Sequence, residues 1–279
     1  MKTINLYIFS LLISMIFSFT THGLELNKTL EQGVIRIHFP KNNTENCTAV
    51  LLGVGTAMST GGYDKLSKAI NEYGHITVIM DHAPGKMVKT DAGKYAELAQ
   101  AVKDQLPSWI SGGDCKIIDK WIMGGHSAGG QAAQNAVANE IGLADGVFSI
   151  DPYNAKDTDR IHVPAMYWGF NTTTCFVEKD DAAKEAYKRS NDRRAFYRVE
   201  SKYSWGPCGY SPKYFHCSFC DGHCPVCTNC KTTPDHFFDD VAKSLDLFVQ
   251  FAFTGQWNKS ALTFSSTTPL TLFVDHEKP

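Results

Sequence analysis

Short apolar runs alternating with helical periodicities constrain the fold of this chain more than any other feature. The run at 34–39 alternates and ends at Pro40, while those at 48–54, 76–80, 117–123, 146–150, 163–168 and 195–199 are short, continuous and mainly apolar. Runs of that kind suit strands covered on both faces, as in a parallel sheet. Between them Tyr95, Leu98, Ala99, Val102 and Leu106 recur at steps of three and four, and so do Phe238, Val241, Leu245, Phe248 and Ala252. That spacing lines one face of an amphipathic helix. Residues 63–73 and 128–141 read as two further helices. Thr233 is the expected N-cap of the last helix, with Pro234 at its first position. The alternation predicts an α/β architecture, a mostly parallel central sheet with helices on both faces. It runs over residues 24–279 as a single domain, with no internal repeat or linker.

The N-terminus reads as an address rather than as part of that domain. Lys2 precedes a nearly unbroken apolar run at 6–19, followed by the polar break Thr20-Thr21-His22-Gly23. As a helix the run reaches roughly 21 Å, short of a ~30 Å bilayer core. A basic start, a short apolar stretch and small residues make a secretory signal peptide over 1–23, with cleavage expected after Gly23. No later run is long enough to span a membrane, so the mature chain is expected to be secreted, outside the cell or in the lumen of the secretory pathway. Five sequons, at Asn27, Asn42, Asn46, Asn171 and Asn258, then become glycosylation candidates. Lysine and arginine number 27 against 29 acidic residues, a net charge of −2. No basic field is present to draw in nucleic acid.

The chemistry concentrates at one turn. Ile122-Met123 closes a predicted strand, Gly125-His126-Ser127-Ala128-Gly129 follows, and an alanine-rich helix begins. This is a G-x-S-x-G elbow in strand-to-helix context, where a serine sits on a strained turn whose neighbours must be small. Ser127 is the expected nucleophile. The helix N-terminus behind it favours an oxyanion. His126, the variable position of the elbow, is expected to pack beneath the turn. A serine hydroxyl needs a base, and the base an orienting acid. Asp151 ends the next strand, in Ile150-Asp151-Pro152, on the same sheet edge as the elbow. Of the histidines far enough along the chain, His216, His223, His236 and His276, His236 stands just before the last amphipathic helix and is the expected base. His216 and His223 lie in a cysteine cluster and read as loop-packing or surface residues, and His276 lies in the polar tail. The oxyanion donors are expected to be the backbone N–H groups of Thr56 and Ala128, with Ala57 as the alternative to Thr56.

With these residues the chain resembles α/β-hydrolases of the chlorophyllase-like and dienelactone-hydrolase-like kind, a pattern shared by small secreted polyester hydrolases and lipase-type esterases. The likeness rests on the 51–56 loop, the Gly-His-Ser-Ala-Gly-Gly elbow at 125–130, Ile150-Asp151-Pro152 and the His236 loop, and covers residues 34–254. It implies the α/β-hydrolase fold and carboxylic ester hydrolysis on a small-molecule or lipid-like ester, with no metal or organic cofactor. The chain departs from the pattern at Val54, where many relatives carry histidine. The elbow reports a mechanism and not a leaving group. A thioesterase, a peptidase, an acyltransferase or a hydrolase-fold binding protein without turnover remain alternatives.

The nine cysteines are clustered. Cys208, Cys217, Cys220, Cys224, Cys227 and Cys230 form an insert at 208–230, and Cys47, Cys115 and Cys175 lie elsewhere. Nine is odd, so at least one thiol has no partner within the chain. Cys217-x2-Cys220 and Cys224-x2-Cys227 have zinc-knuckle spacing, but only three residues separate the pairs, where zinc sites usually place about a dozen. In a secreted chain disulfides are the expected use. Cys47 and Cys115, each before a predicted strand, are a candidate pair. The insert is expected to form a bridged rim that holds His236 beside the site.

Overall fold

A computed structural model describes residues 25–41, 44–110, 115–154, 160–171, 182–190, 193–206, 209–221 and 233–275. The expected signal peptide at 1–23, Asn42, His223, His276 and five of the cysteines lie outside the described residues.

The strands in chain order are β1 (Glu25–Leu30), β2 (Gly33–His38), β3 (Thr44–Gly53), β4 (Ile76–Asp81), β5 (Cys115–His126) and β6 (Gly146–Ile150). They continue with β7 (Ala165–Phe170), β8 (Arg194–Val199), β9 (Tyr203–Gly206), β10 (Gly209–Pro212) and β11 (Leu270–Asp275). Among the described residues nine of them form one sheet in the order β1-β2-β4-β3-β5-β6-β7-β8-β11, while β9 and β10 pair as a separate hairpin. The six strands from β4 to β8 in that order are mutually parallel. At the margins β2 runs antiparallel to β4, β1 to β2, and β11 to β8. The fold is therefore α/β with a mostly parallel sheet. Each of the seven apolar runs falls on one strand of it. The two edge strands escape that reading for a physical reason. β1 alternates exposed and half-buried residues and β11 is half-buried along most of its length, so neither needs a continuous apolar run.

The helices are α1 (Asp64–Glu72), α2 (Ala92–Trp109), α3 (Ala128–Asn139), α4 (Ala182–Arg189), α5 (Asp235–Thr254) and α6 (Lys259–Leu262). Strand side chains alternate between faces. Ala49, Leu51 and Met123 thus pack with Tyr95, Leu98 and Val102 of α2 and Ala132 of α3, whereas Val50, Leu52 and Ile122 pack with Leu66 of α1 and Phe237, Val241 and Phe248 of α5. Asp91 caps α2 by accepting from the Lys94 N–H at 3.0 Å. The last helix starts one residue later than its sequence suggests. Pro234 holds an extended ψ of 143° and is itself the N-cap, so Thr233 caps nothing.

Cys47 and Cys115 form a disulfide that joins the starts of β3 and β5, with Cα atoms 5.9 Å apart and a sequence separation of 68. Closing a loop of that length stabilises the fold by about 4 kcal/mol in the chain-entropy account. Among the described residues no helix is long and apolar enough to cross a membrane.

Candidate active site

The C-terminal ends of β3, β5 and β6 lie side by side on one edge of the sheet, where ligands bind in parallel α/β folds. Ser127 links β5 to α3 with φ 54° and ψ −122°, a conformation strained for any residue but glycine. Its N–H donates to the Ile150 carbonyl at 3.0 Å, and its own carbonyl accepts from the Gln131 and Tyr153 N–H groups at 3.1 Å. The glycines around it are required by the neighbouring loop. A Cβ on Gly125, at φ +155°, would lie 2.5 Å from the Gly53 oxygen, and one on Gly129 would lie 2.3 Å from it. The elbow and the end of β3 therefore meet backbone against backbone.

That contact sets the loop beyond Gly53 over the serine. A Cβ on Gly55 would lie 3.3 Å from the Ser127 Cβ. Four of the loop's amides already have acceptors: Val54 donates to the Met80 carbonyl, Ala57 to that of Met87, Met58 to that of Gly55, and Gly55 itself to the Tyr63 hydroxyl at 2.9 Å. Among the described residues the Thr56 N–H has no acceptor. Ala128, at the first position of α3, presents an N–H that no preceding turn can accept. Lys89 backs this loop from below, fully buried, with its ammonium 2.7 Å from Asp81 Oδ1 and 3.0 Å from the Met58 carbonyl.

Asp151 follows β6 at φ 42°, with its N–H bonded to the Trp168 carbonyl at 2.7 Å. Its partner is not the histidine that sequence reasoning chose. His216 Nδ1 stands 2.6 Å from Asp151 Oδ2, with both side chains almost wholly enclosed. That is the length of a charge-assisted hydrogen bond. A carboxylate only accepts, so Nδ1 carries the proton and the neutral ring keeps its lone pair on Nε2. His236 is elsewhere. It occupies the second position of α5, and its Nε2 meets the Tyr214 hydroxyl at 2.9 Å. The structure brings Ser127, Asp151 and His216 together and leaves His236 outside.

The correction has a physical cause. Tyr214, Phe215 and Phe219 are fully buried and carry the short 3-10 turn His216–Phe219 inward. Phe219 packs 5.1 Å from the Phe237 ring and 5.4 Å from that of Phe170, while Tyr214 stacks on Phe237 at 5.3 Å. The first part of the insert is thus anchored by aromatic burial. The missed signal was the density of aromatic residues around His216, namely Tyr214, Phe215 and Phe219, in a stretch otherwise almost without aliphatic residues.

His126 also does more than pack. Its Nδ1 lies 3.0 Å from the Tyr63 hydroxyl and its Nε2 2.8 Å from the His216 carbonyl oxygen. Burial, and secondarily the adjacent His216, hold its imidazole well below the usual histidine range, so it stays neutral. Cys220 is a buried free thiol 3.7 Å from His126 Nδ1, and burial pushes its pKa up to about 12. Cys217 is disulfide-bonded. Among the described residues no group of three His, Cys, Asp or Glu side chains is placed to hold a metal ion.

Of the sequons, Asn27, Asn46 and Asn258 are exposed. Asn171 is different. Its Nδ2, the atom a glycan requires, donates to Glu200 at 2.9 Å, and its Oδ1 accepts from the Ser201 N–H at 2.8 Å.

Comparison of the chain with protein-family models and with curated proteins gives no match.

Proposed function

We propose that this chain is a secreted serine hydrolase of the α/β-hydrolase type that cleaves carboxylic esters through Ser127, His216 and Asp151. The observation that carries the reading is the 2.6 Å Asp151–His216 contact at the sheet edge where the strained Ser127 elbow sits. A buried carboxylate on the Nδ1 side of an enclosed imidazole, beside a serine at φ 54°, is the arrangement a nucleophilic hydroxyl needs.

The reaction follows from the proton positions. His216 Nε2 accepts the Ser127 hydroxyl proton as Oγ bonds to the ester carbonyl carbon. The resulting oxyanion takes hydrogen bonds from the Thr56 and Ala128 N–H groups. Collapse of the tetrahedral species breaks the bond to the leaving oxygen, which receives the proton back from Nε2 and departs as the alcohol. Water then adds to the acyl-serine with His216 again as base, releasing the carboxylic acid and restoring Ser127. Asp151 holds the ring orientation and stabilises its cationic form throughout. Among the described residues Ser127 Oγ makes no hydrogen bond to the imidazole, a contact that commonly tightens only in the substrate complex.

Secretion and glycosylation belong to the same proposal. The Cys47–Cys115 disulfide supports an oxidising compartment.

The test is a panel of p-nitrophenyl esters of increasing acyl length, with a serine-directed fluorophosphonate as an independent probe. Wild type should hydrolyse at least one ester and label at Ser127, and Ser127→Ala and His216→Ala should do neither. Labelling and ester turnover that persist in Ser127→Ala would overturn the assignment. Labelling with turnover of thioesters or peptides alone would move the substrate class but keep the triad.

A further inference from the structure

The elbow's variable residue forms a one-directional hydrogen-bond chain that joins the three parts of the site. The His216 carbonyl can only accept, so His126 Nε2 carries the proton of that 2.8 Å bond. His126 Nδ1 is then a lone pair and accepts from the Tyr63 hydroxyl at 3.0 Å. That hydroxyl in turn accepts from the Gly55 N–H at 2.9 Å. The sequence of donors runs from the loop over the serine, through Tyr63 and His126, to the main chain of the residue that bears the base. The rings of His126 and His216 also lie 4.5 Å apart, tilted by 37°.

We propose that His126 is a positioning residue, one that holds the backbone of His216 in register with Ser127 and ties both to the oxyanion loop. The proposal rests on the hydrolase reading above. His216 sits on a short 3-10 turn that follows the β9–β10 hairpin within the cysteine-rich insert, not on a strand or long helix. Asp151 grips its side chain at Nδ1, and His126 grips its carbonyl. Two grips on opposite ends of the residue define the direction of Nε2, which one alone would leave free to swing. Small misplacements of a catalytic group cost about 100-fold in rate. His126 is adjacent to Ser127 in the chain, so any shift of the nucleophile carries the base's anchor with it. The groups that face the ring are Tyr63, Cys220, His216 and Phe219. A second proton on the ring would end the bond from Tyr63 and set a cation against His216.

The experiment compares wild type with His126→Phe, which keeps a ring but neither bond, and His126→Gln, which keeps an amide N–H donor near the Nε2 position. The expected result is a fall in kcat of roughly 10- to 100-fold in the Phe variant with KM little changed, a matching fall in fluorophosphonate labelling rate, and recovery of most of both in the Gln variant. Tyr63→Phe should lose less than His126→Phe. A Phe variant that is folded and as fast as wild type would overturn the proposal, and so would a Gln variant as slow as the Phe variant. Should the Phe variant fail to fold, long-range 1H–15N NMR of wild type decides, with His126 assigned by its absence in His126→Gln. The ring should be the Nε2–H tautomer and remain neutral below pH 6.5, the ordinary histidine value. An Nδ1–H tautomer would overturn the hydrogen-bond chain. Wild type that neither turns over esters nor labels would overturn the hydrolase reading instead, and the NMR tautomer still reports on His126.

Discussion

His216 and His236 are twenty residues apart, both beside aromatic rings and both hydrogen-bonded, yet they stand in different electrostatic settings. His216 is enclosed, with a carboxylate on one ring nitrogen. His236 is half-buried at the start of α5, and its partner is the neutral hydroxyl of Tyr214. A phenol orients a ring but does not stabilise its cation, whereas a carboxylate does both. Proximity to the last helix is therefore a poorer guide to a catalytic base than the partner its Nδ1 can reach.

The largest effect that could break this comparison is on turnover. His216→Ala is expected to lower kcat for an ester that wild type hydrolyses by about 10⁴- to 10⁶-fold, while His236→Ala stays within about tenfold of wild type. Steady-state kinetics on the two purified variants decide it, and the reverse ranking would return the base to His236. Asp151→Asn should follow, with a loss of about 10⁴-fold and an intact fold, because an amide at that position favours the wrong imidazole tautomer.

Stability sharpens the contrast at lower magnitude. Phe219→Ala removes a fully buried ring from beside His126, three residues after His216, and should cost about 3–5 kcal/mol in urea unfolding. Tyr214→Phe removes only the hydroxyl that bonds His236 and should cost about 1 kcal/mol. Equal costs would mean that the stretch before α5 is held as firmly as the turn that carries His216.

The smallest effect concerns pH. Burial lowers the pKa of His126 and of His82 below the ordinary value of 6.5. Between pH 6.5 and the lowered values of the folded state the unfolded chain binds protons at these rings that the folded chain refuses. Their contribution to stability is complete above pH 6.5 and is lost as the pH falls through that window, by up to about 1.4 kcal/mol per pH unit for each ring kept neutral. Urea midpoints from pH 7 to 5 should decline, and His126→Gln should flatten the decline. An unchanged slope in that variant would place a protonated His126 in the folded state.

What could be read from the chain alone was whatever depends on near neighbours. Continuous apolar runs are set by burial on both faces, so the central strands were legible. The elbow is a local strand-turn-helix unit whose strained serine and small neighbours carry their own signature, and Asp151 is marked by its position at the end of the next strand. Edge strands β1 and β11, wet on one side, left no such mark. Which histidine meets Asp151, and so becomes the proposed base, belonged to the tertiary structure. Asp151 and His216 are 65 residues apart in sequence, and nothing along the intervening chain records which histidine will arrive. That was decided by where the aromatic side chains of Tyr214, Phe215 and Phe219 find a dry surface between Trp168, Phe170 and Phe237. Their burial draws His216 inward, and the His126 bond to its carbonyl exists only once that packing is complete.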